Sequence, residues 1–187
     1  ITPFENGTPT HHTRLFSRPD LELTLLKNEL SVPPVLSGPF GEEILSWTAH
    51  HGVREVVVVD AVPIQHGPDD HETYYVATDD YRERRLAEAN IEPMARGYID
   101  GVTGALVEQG IDSPLAVGVF RTPVHQQVPD VEAAIRLVET LNGVYSLGVD
   151  TEPLQEFADE ITRYYEELTE RYEAARREDS FEDRMYM

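Results

Sequence analysis

The sequence predicts an α/β fold, a three-layer α/β/α sandwich with a long C-terminal helix, from three observations. Strand-like and helix-like segments alternate along the chain. Two short apolar runs, VREVVVVDAV at 53–62 and LAVGVF at 115–120, read as strands covered on both faces. The chain then closes on an apolar stripe about seven turns long, at helical spacing. At 187 residues and 40% hydrophobic content, a single globular domain over residues 1–178 is expected.

Taken in order, Thr13–Ser17 and Leu21–Leu26 carry strand patterning. SVPPVLSGP, residues 31–39, holds three prolines and is expected to be a loop. Phe40–His51 predicts a helix with Ile44, Leu45, Trp47 and Thr48 on one face, closed by Gly52 in the left-handed conformation. The valine run Val56–Val59 inside the next strand argues burial on both faces. A polar loop follows at residues 63–73, then a short strand, Tyr74–Ala77.

Thr78 or Asp79 would cap a charged helix reaching about Ala89, and Gly101–Gln109 reads as a helix closed by Gly110. Leu115–Phe120 is the second buried strand. Asp130 would cap a helix from Val131 to about Tyr145, with Ala134, Ile135, Val138 and Leu141 at the 3.6-residue period. In the last helix, residues 151–178, Leu154, Phe157, Ile161, Tyr164, Leu168, Tyr172 and Ala175 share a stripe that would pack on the sheet or on a partner helix.

Charge sets the environment. Asp and Glu number 35 against 15 Lys and Arg, a formal net charge of −20, and Lys27 is the single lysine. Such a surface repels nucleic-acid phosphates and anionic membranes, so neither is an expected partner. It also repels copies of itself unless salt screens it, which suits a salt-rich, halophilic cytoplasm. Cysteine is absent, which excludes disulfides, thiolate nucleophiles and Cys-bound zinc. No apolar run approaches the roughly 20 residues of a membrane span, and no signal peptide is visible.

One cluster looks chemical. His66, Asp69, Asp70 and His71 follow a strand within six residues and could hold a metal, or supply a base with its orienting carboxylate. The same residues also make an ordinary acidic surface turn. His11–His12 and His50–His51 are adjacent pairs whose side chains point apart, and His125 stands alone. Gly97, Gly101 and Gly104 fit helix–strand packing better than a phosphate cradle, because GxGxxG and a Walker lysine are missing. No cofactor is implied, and no catalytic set assembles.

The chain ends differently. A charged stretch, ARREDSFEDR at 175–184, leads to Met185-Tyr186-Met187. A ring, an apolar neighbour and a terminal carboxylate form a compact three-point ligand for a pocket with one basic group. Residues 179–187 therefore read as a tether and docking tail.

VREVVVVDAVPI, the HGPDDHETYYVAT loop, IDGVTGALVEQGIDSPLAVGVF, PDVEAAIRLVETLN and VDTEPL occur in an order that resembles the archaeal and actinobacterial branch of the proteasome assembly chaperone 2 family. The resemblance spans about Thr13 to Tyr172 and points to a haloarchaeal-type member. It implies a sandwich similar to that of purine nucleoside phosphorylases. It also implies a non-enzymatic chaperone-like role, proteasome α-subunits as partners, and a homo-oligomer of three or more copies. Family members usually open on a strand and a GxxGVG turn. That opening is not in this sequence, so a first βα unit is expected to be missing. The hydrophobic–Tyr–X ending matches, at Met185, Tyr186 and Met187, the device by which such proteins dock between α-subunits. The fold would also permit a nucleoside phosphorylase- or hydrolase-like enzyme with its site near the His66–His71 loop.

Overall fold

Asn6-Gly7 sets the first turn. Both residues have positive φ (48° and 77°), and they join β1 (Phe4–Glu5) to β2 (Thr8–Pro9) in an antiparallel pair. Asn-Gly is the strongest short-range hairpin signal, and it stands in the sequence at a place where no strand was expected. The structure is a computed structural model that describes residues 2–63, 67, 71–125, 130–165 and 168.

The chain forms two compact units, Ile1–Asp60 with Tyr74–Arg121, and Ala61–Thr73 with Thr122–Met187. In the first unit, β3 (Thr13–Arg18) and β4 (Leu23–Asn28) make a second antiparallel hairpin, with Phe16 opposite Leu25 and Leu15 opposite Leu26. A single 3₁₀ turn, Pro19–Leu21, connects them, and Glu22 leaves it in the left-handed region at φ 49°.

Helix α1 spans Pro34–His50, so the loop expected at residues 31–39 is largely helix. Pro34 occupies the first helical position, where its missing N–H costs nothing. Pro39 lies inside the helix and removes the ladder bond to the Val35 carbonyl, while Ser37 donates its hydroxyl to the Pro33 carbonyl at 3.3 Å. The far end follows expectation. Gly52 has φ 66°, its N–H bonds Ala49 O, and the Val53 N–H bonds Thr48 O at 2.9 Å, the two bonds of a Schellman cap.

Three strands form the main sheet in the order β5 (Glu55–Val62), β7 (Ala116–Pro123), β6 (Tyr74–Ala77). β5 and β7 are parallel, since Ala116 N–H donates to Arg54 O and, eight residues on, Val124 N–H donates to Val62 O. β6 runs antiparallel to β7, with Val76 opposite Val119. On its other edge Tyr75 bonds Glu92 O and Met94 N–H, an isolated parallel bridge opposite Pro93.

The central place of β7 explains its sequence. Ala116, Val117, Val119, Phe120 and Thr122 are each fully buried. β5 departs from expectation. Val59 is 51% exposed and Ala61, two residues on and on the same face, is exposed, so that face of the edge strand is uncovered there. Double burial of the valine run is therefore not found; position in the sheet decides cover, and composition does not report it.

Packing on β7 runs through Thr78, Tyr81 and two glycines, Gly110 and Gly118. Helix α2 (Asp79–Tyr81) widens into a π-helical turn, Arg82–Leu86, ending three residues short of the expected Ala89. Thr78 stands at its N-cap, but its hydroxyl accepts from the Val117 N–H at 3.0 Å and donates to Asp80, tying the helix to the strand. Arg85 grips both Glu55 oxygens at 3.2 and 3.1 Å and fixes the turn to β5. Tyr81, fully buried, lies against Gly118, where a Cβ would run into the ring.

Helix α3 (Gly101–Ile111) continues through Gly110, so Gly110 does not close it. A Cβ on Gly110 would come within 2.6 Å of Val117 Cγ2, so this glycine permits close helix–strand approach. Gly41 of α1 faces Ala105 of α3 in the same way, at 3.1 Å for an added Cβ.

In the second unit, α4 covers Val131–Tyr145, the expected bounds. It stops at Ser146 with φ 54°, and Asn142 brackets the exit by bonding both the N–H and the carbonyl of Val149. Residues 152–165 form a last helix, α5. The alternation of strands and helices thus yields the mixed α/β class that the sequence predicts.

Candidate functional site

Of the residues singled out for chemistry, His71 is described. His66, Asp69 and Asp70, and the tail residues Met185, Tyr186 and Met187, lie outside the described residues. Within the second unit His71 stands edge-on to His125, ring centroids 5.5 Å apart. His125 Nδ1 contacts Asp130 Oδ2 at 2.8 Å, and its backbone N–H donates to the same oxygen at 3.1 Å. The other oxygen, Oδ1, accepts from the Ala133 N–H at 2.9 Å and caps α4, as the sequence predicts for Asp130. A carboxylate only accepts, so Nδ1 carries the proton on this ring. His125, alone in the sequence, is thus a partner of the helix cap.

Burial opposes ionisation of Asp130. The hydrogen bonds from Ala133 N–H, His125 N–H and the His125 ring, with the charge of Arg136, outweigh it and hold the carboxyl below the usual carboxylate range. A depressed folded value means stability that is complete above the unfolded value, about 3.9, and is lost as pH falls through the folded one. Asp130→Ala should therefore cost about 1–2 kcal/mol at pH 7, the loss of a good N-cap. Thermal melts should show the gap between variant and wild type narrowing below about pH 4. A gap that stays constant with pH would contradict this role.

An Asp–His pair can orient a base, but a base needs a nucleophile or substrate group beside it. A buried polar pair in the same unit is Thr73–Thr122, whose hydroxyls bond each other at 2.7 Å in the interior. Among the described residues no three His, Asp or Glu gather to hold a metal. His50 and His51 turn Nδ1 to the carbonyls of Ser46 and Trp47 at 2.6 and 2.8 Å, closing α1. Gly101 has φ 65°, and Gly104 sits against the Ile99 carbonyl with no room for a side chain. These glycines shape a turn and a tight contact.

What the described residues do offer is surface. On α5, Leu154, Ala158 and Ile161 are partly covered, while Phe157 and Tyr164 are 51% and 62% exposed. Leu168, on the same stripe, is exposed as well. An aromatic face left open on the helix that precedes the tail suits a partner better than it suits a sheet. Tyr172 and Ala175, the rest of that stripe, lie outside the described residues. A second open surface is the β3–β4 hairpin, where Leu15, Phe16, Leu23, Leu25 and Leu26 are all exposed. Sequence reading placed the strands there and missed that both faces are uncovered, since alternation alone does not say what lies against a face.

A mixed α/β architecture with open apolar surfaces fits a binding protein. The PAC2 family model matches residues 1–169, and the chain belongs to the PAC2 family. Among solved structures it is similar to Pyrococcus furiosus PbaA, described as an archaeal homolog of proteasome-assembly chaperone. The TM-score is 0.87 at 23% identity, over 100% of this chain and 78% of that one. It is similar to Pyrococcus furiosus PbaB, described as an archaeal proteasome activator, at TM-score 0.70 and 18% identity, over 90% and 77% of the two chains. A Mycobacterium tuberculosis proteasome-assembly chaperone homologue follows at TM-score 0.60 and 14% identity, over 89% and 74%. No curated protein matches. At these identities the likenesses establish the fold. No described helix is long and apolar enough to cross a membrane.

Proposed function

We propose that this protein is a non-enzymatic, proteasome-assembly-chaperone-like adaptor that binds proteasome α-subunits through Met185, Tyr186 and Met187. Family membership carries the reading: the PAC2 match covers residues 1–169, and the tripeptide supplies a specific docking device. The exposed aromatic face of α5 supports it by placing partner-ready surface on the helix that leads to the tail. The working form is a homo-oligomer of three or more copies in a salt-rich cytoplasm, on a three-layer frame of nucleoside phosphorylase type. Several tails matter because a three-residue ligand is weak alone, and linked copies raise the effective concentration of the next tail.

The test is co-migration of the purified chain with purified proteasome α-subunits on a sizing column in about 2 M KCl, which screens the acidic surface. The full chain should shift the α-subunits, and a chain lacking residues 185–187 should leave them unshifted. Equal shifts with both chains would overturn the tail as the docking device.

A further inference from the structure

Two copies of a chain carrying −20 meet against their own repulsion, so contact is favoured where local charge is lowest. The hairpin is such a place. From Thr13 to Glu29 it carries three cations (Arg14, Arg18, Lys27) and three anions (Asp20, Glu22, Glu29), so the whole net charge lies elsewhere. A two-stranded hairpin is marginal by itself, and this one has apolar side chains open on both faces.

The register sorts those side chains. Phe16 is opposite Leu25, Arg18 opposite Leu23 and Arg14 opposite Lys27, so all six share one face. Phe16, Leu23 and Leu25 are 48%, 40% and 57% exposed. Charge divides along the same face. At the open end, Glu29 pairs with Arg14 and, at 3.1 Å, with Lys27, two cations against one anion. At the turn end, Arg18 pairs with Asp20 at 2.7 Å and Glu22 is exposed, one cation against two anions. Turned through a two-fold axis, the positive end of one hairpin lies over the negative end of another. That is the self-complementarity an isologous contact requires.

We propose that the Phe16, Leu23 and Leu25 face of the hairpin is a two-fold self-association surface, and that its occupant is the same face of a second copy. The contact takes the homo-oligomer proposed above as its setting and names one of its interfaces. A foreign acidic or basic protein would find no net charge to match there, whereas a rotated copy matches both ends. Two six-residue strands span about 20 Å by about 10 Å. That is small beside the roughly 800 Å² per partner of a standard interface, so the pairing is weak and concentration-dependent.

Sedimentation equilibrium in about 0.5 M KCl tests it, where screening is partial. Lys27→Glu makes both ends negative, and Glu22→Lys makes both ends positive. Each variant alone should self-associate roughly tenfold more weakly, the effect of two exposed ion pairs reversed. Mixed in equal amounts, they should regain the wild-type association, because every positive end then meets a negative one. Phe16→Ser with Leu25→Ser should weaken association by more than tenfold while circular dichroism shows the fold unchanged, since both side chains are exposed. A wild-type chain that stays monomeric would overturn both the contact and the homo-oligomer. Self-association of wild type, with the charge variants and the serine variant behaving alike, would overturn the contact and leave the homo-oligomer standing. Failure of the mixture to recover would overturn the two-fold arrangement.

Discussion

Replacing Gly118 with Ala should lower the melting temperature of this protein by about 6–12 °C. The new methyl group would overlap Cε1 and Cζ of Tyr81, a ring with no exposed surface. Overpacking of this kind costs about 3 kcal/mol, and a chain of this length loses roughly 2–4 °C per kcal/mol. Gly143→Ala is the control: nothing lies within 4 Å of the added atom, and the site is inside α4. It should raise stability slightly, by about 0.5–1 kcal/mol, because helix-interior Ala outdoes Gly. Trimming Tyr81 to Leu in the Gly118→Ala background should recover part of the loss, since the two substitutions share one contact. Equal melting temperatures for the Gly118 and Gly143 variants would show that Tyr81 does not press on Gly118.

The contrast between β5 and β7 shows how far the sequence could be read. Both runs are short, apolar and β-branched, and both became strands, β5 starting two residues late and β7 ending three residues beyond expectation. Period and composition fix that a segment is extended; they do not report how many strands lie beside it. β7 gained neighbours on both edges and is buried at every position but Arg121, while β5 gained one and exposes Val59. Pro34 and Pro39 misled in another way. Proline disfavours a helix interior but starts a helix well; α1 opens on Pro34 and runs on past Pro39 to His50.

Gly110 likewise sat where a helix cap belongs and instead lets α3 approach β7 so closely that an added Cβ would come within 2.6 Å of Val117 Cγ2, a long-range demand invisible in local sequence. Caps set by local chemistry were legible: Gly52 and Asp130 stand as expected. His125 was not legible as a cap partner, because no local pattern pairs residues five apart across a strand end and a helix start. The tripeptide Met185-Tyr186-Met187 lies outside the described residues, and its docking role is a proposal.

Docking of that tripeptide should rest mainly on Tyr186. In concentrated salt the pairing of the terminal carboxylate with a pocket lysine is screened, and apolar burial is not. Burying a large side chain is worth about 1.5–3 kcal/mol, so Tyr186→Ala should weaken each tail about 10- to 100-fold. Met187→Ala keeps the carboxylate in place and should change binding by less than about threefold, well under 1 kcal/mol. Several tails acting together would steepen the Tyr186 effect further.

The register of the charge is the most direct test of the whole account. One glycine added after Met187 leaves every side chain present and moves the carboxylate by about 3.5 Å. Surface plasmon resonance on immobilised proteasome α-rings should show this extended chain binding as poorly as Tyr186→Ala, with wild type and Met187→Ala binding well. Wild-type binding by both the extended chain and Tyr186→Ala would contradict docking through the tail, and with it the reading of this protein as a tail-docked proteasome adaptor.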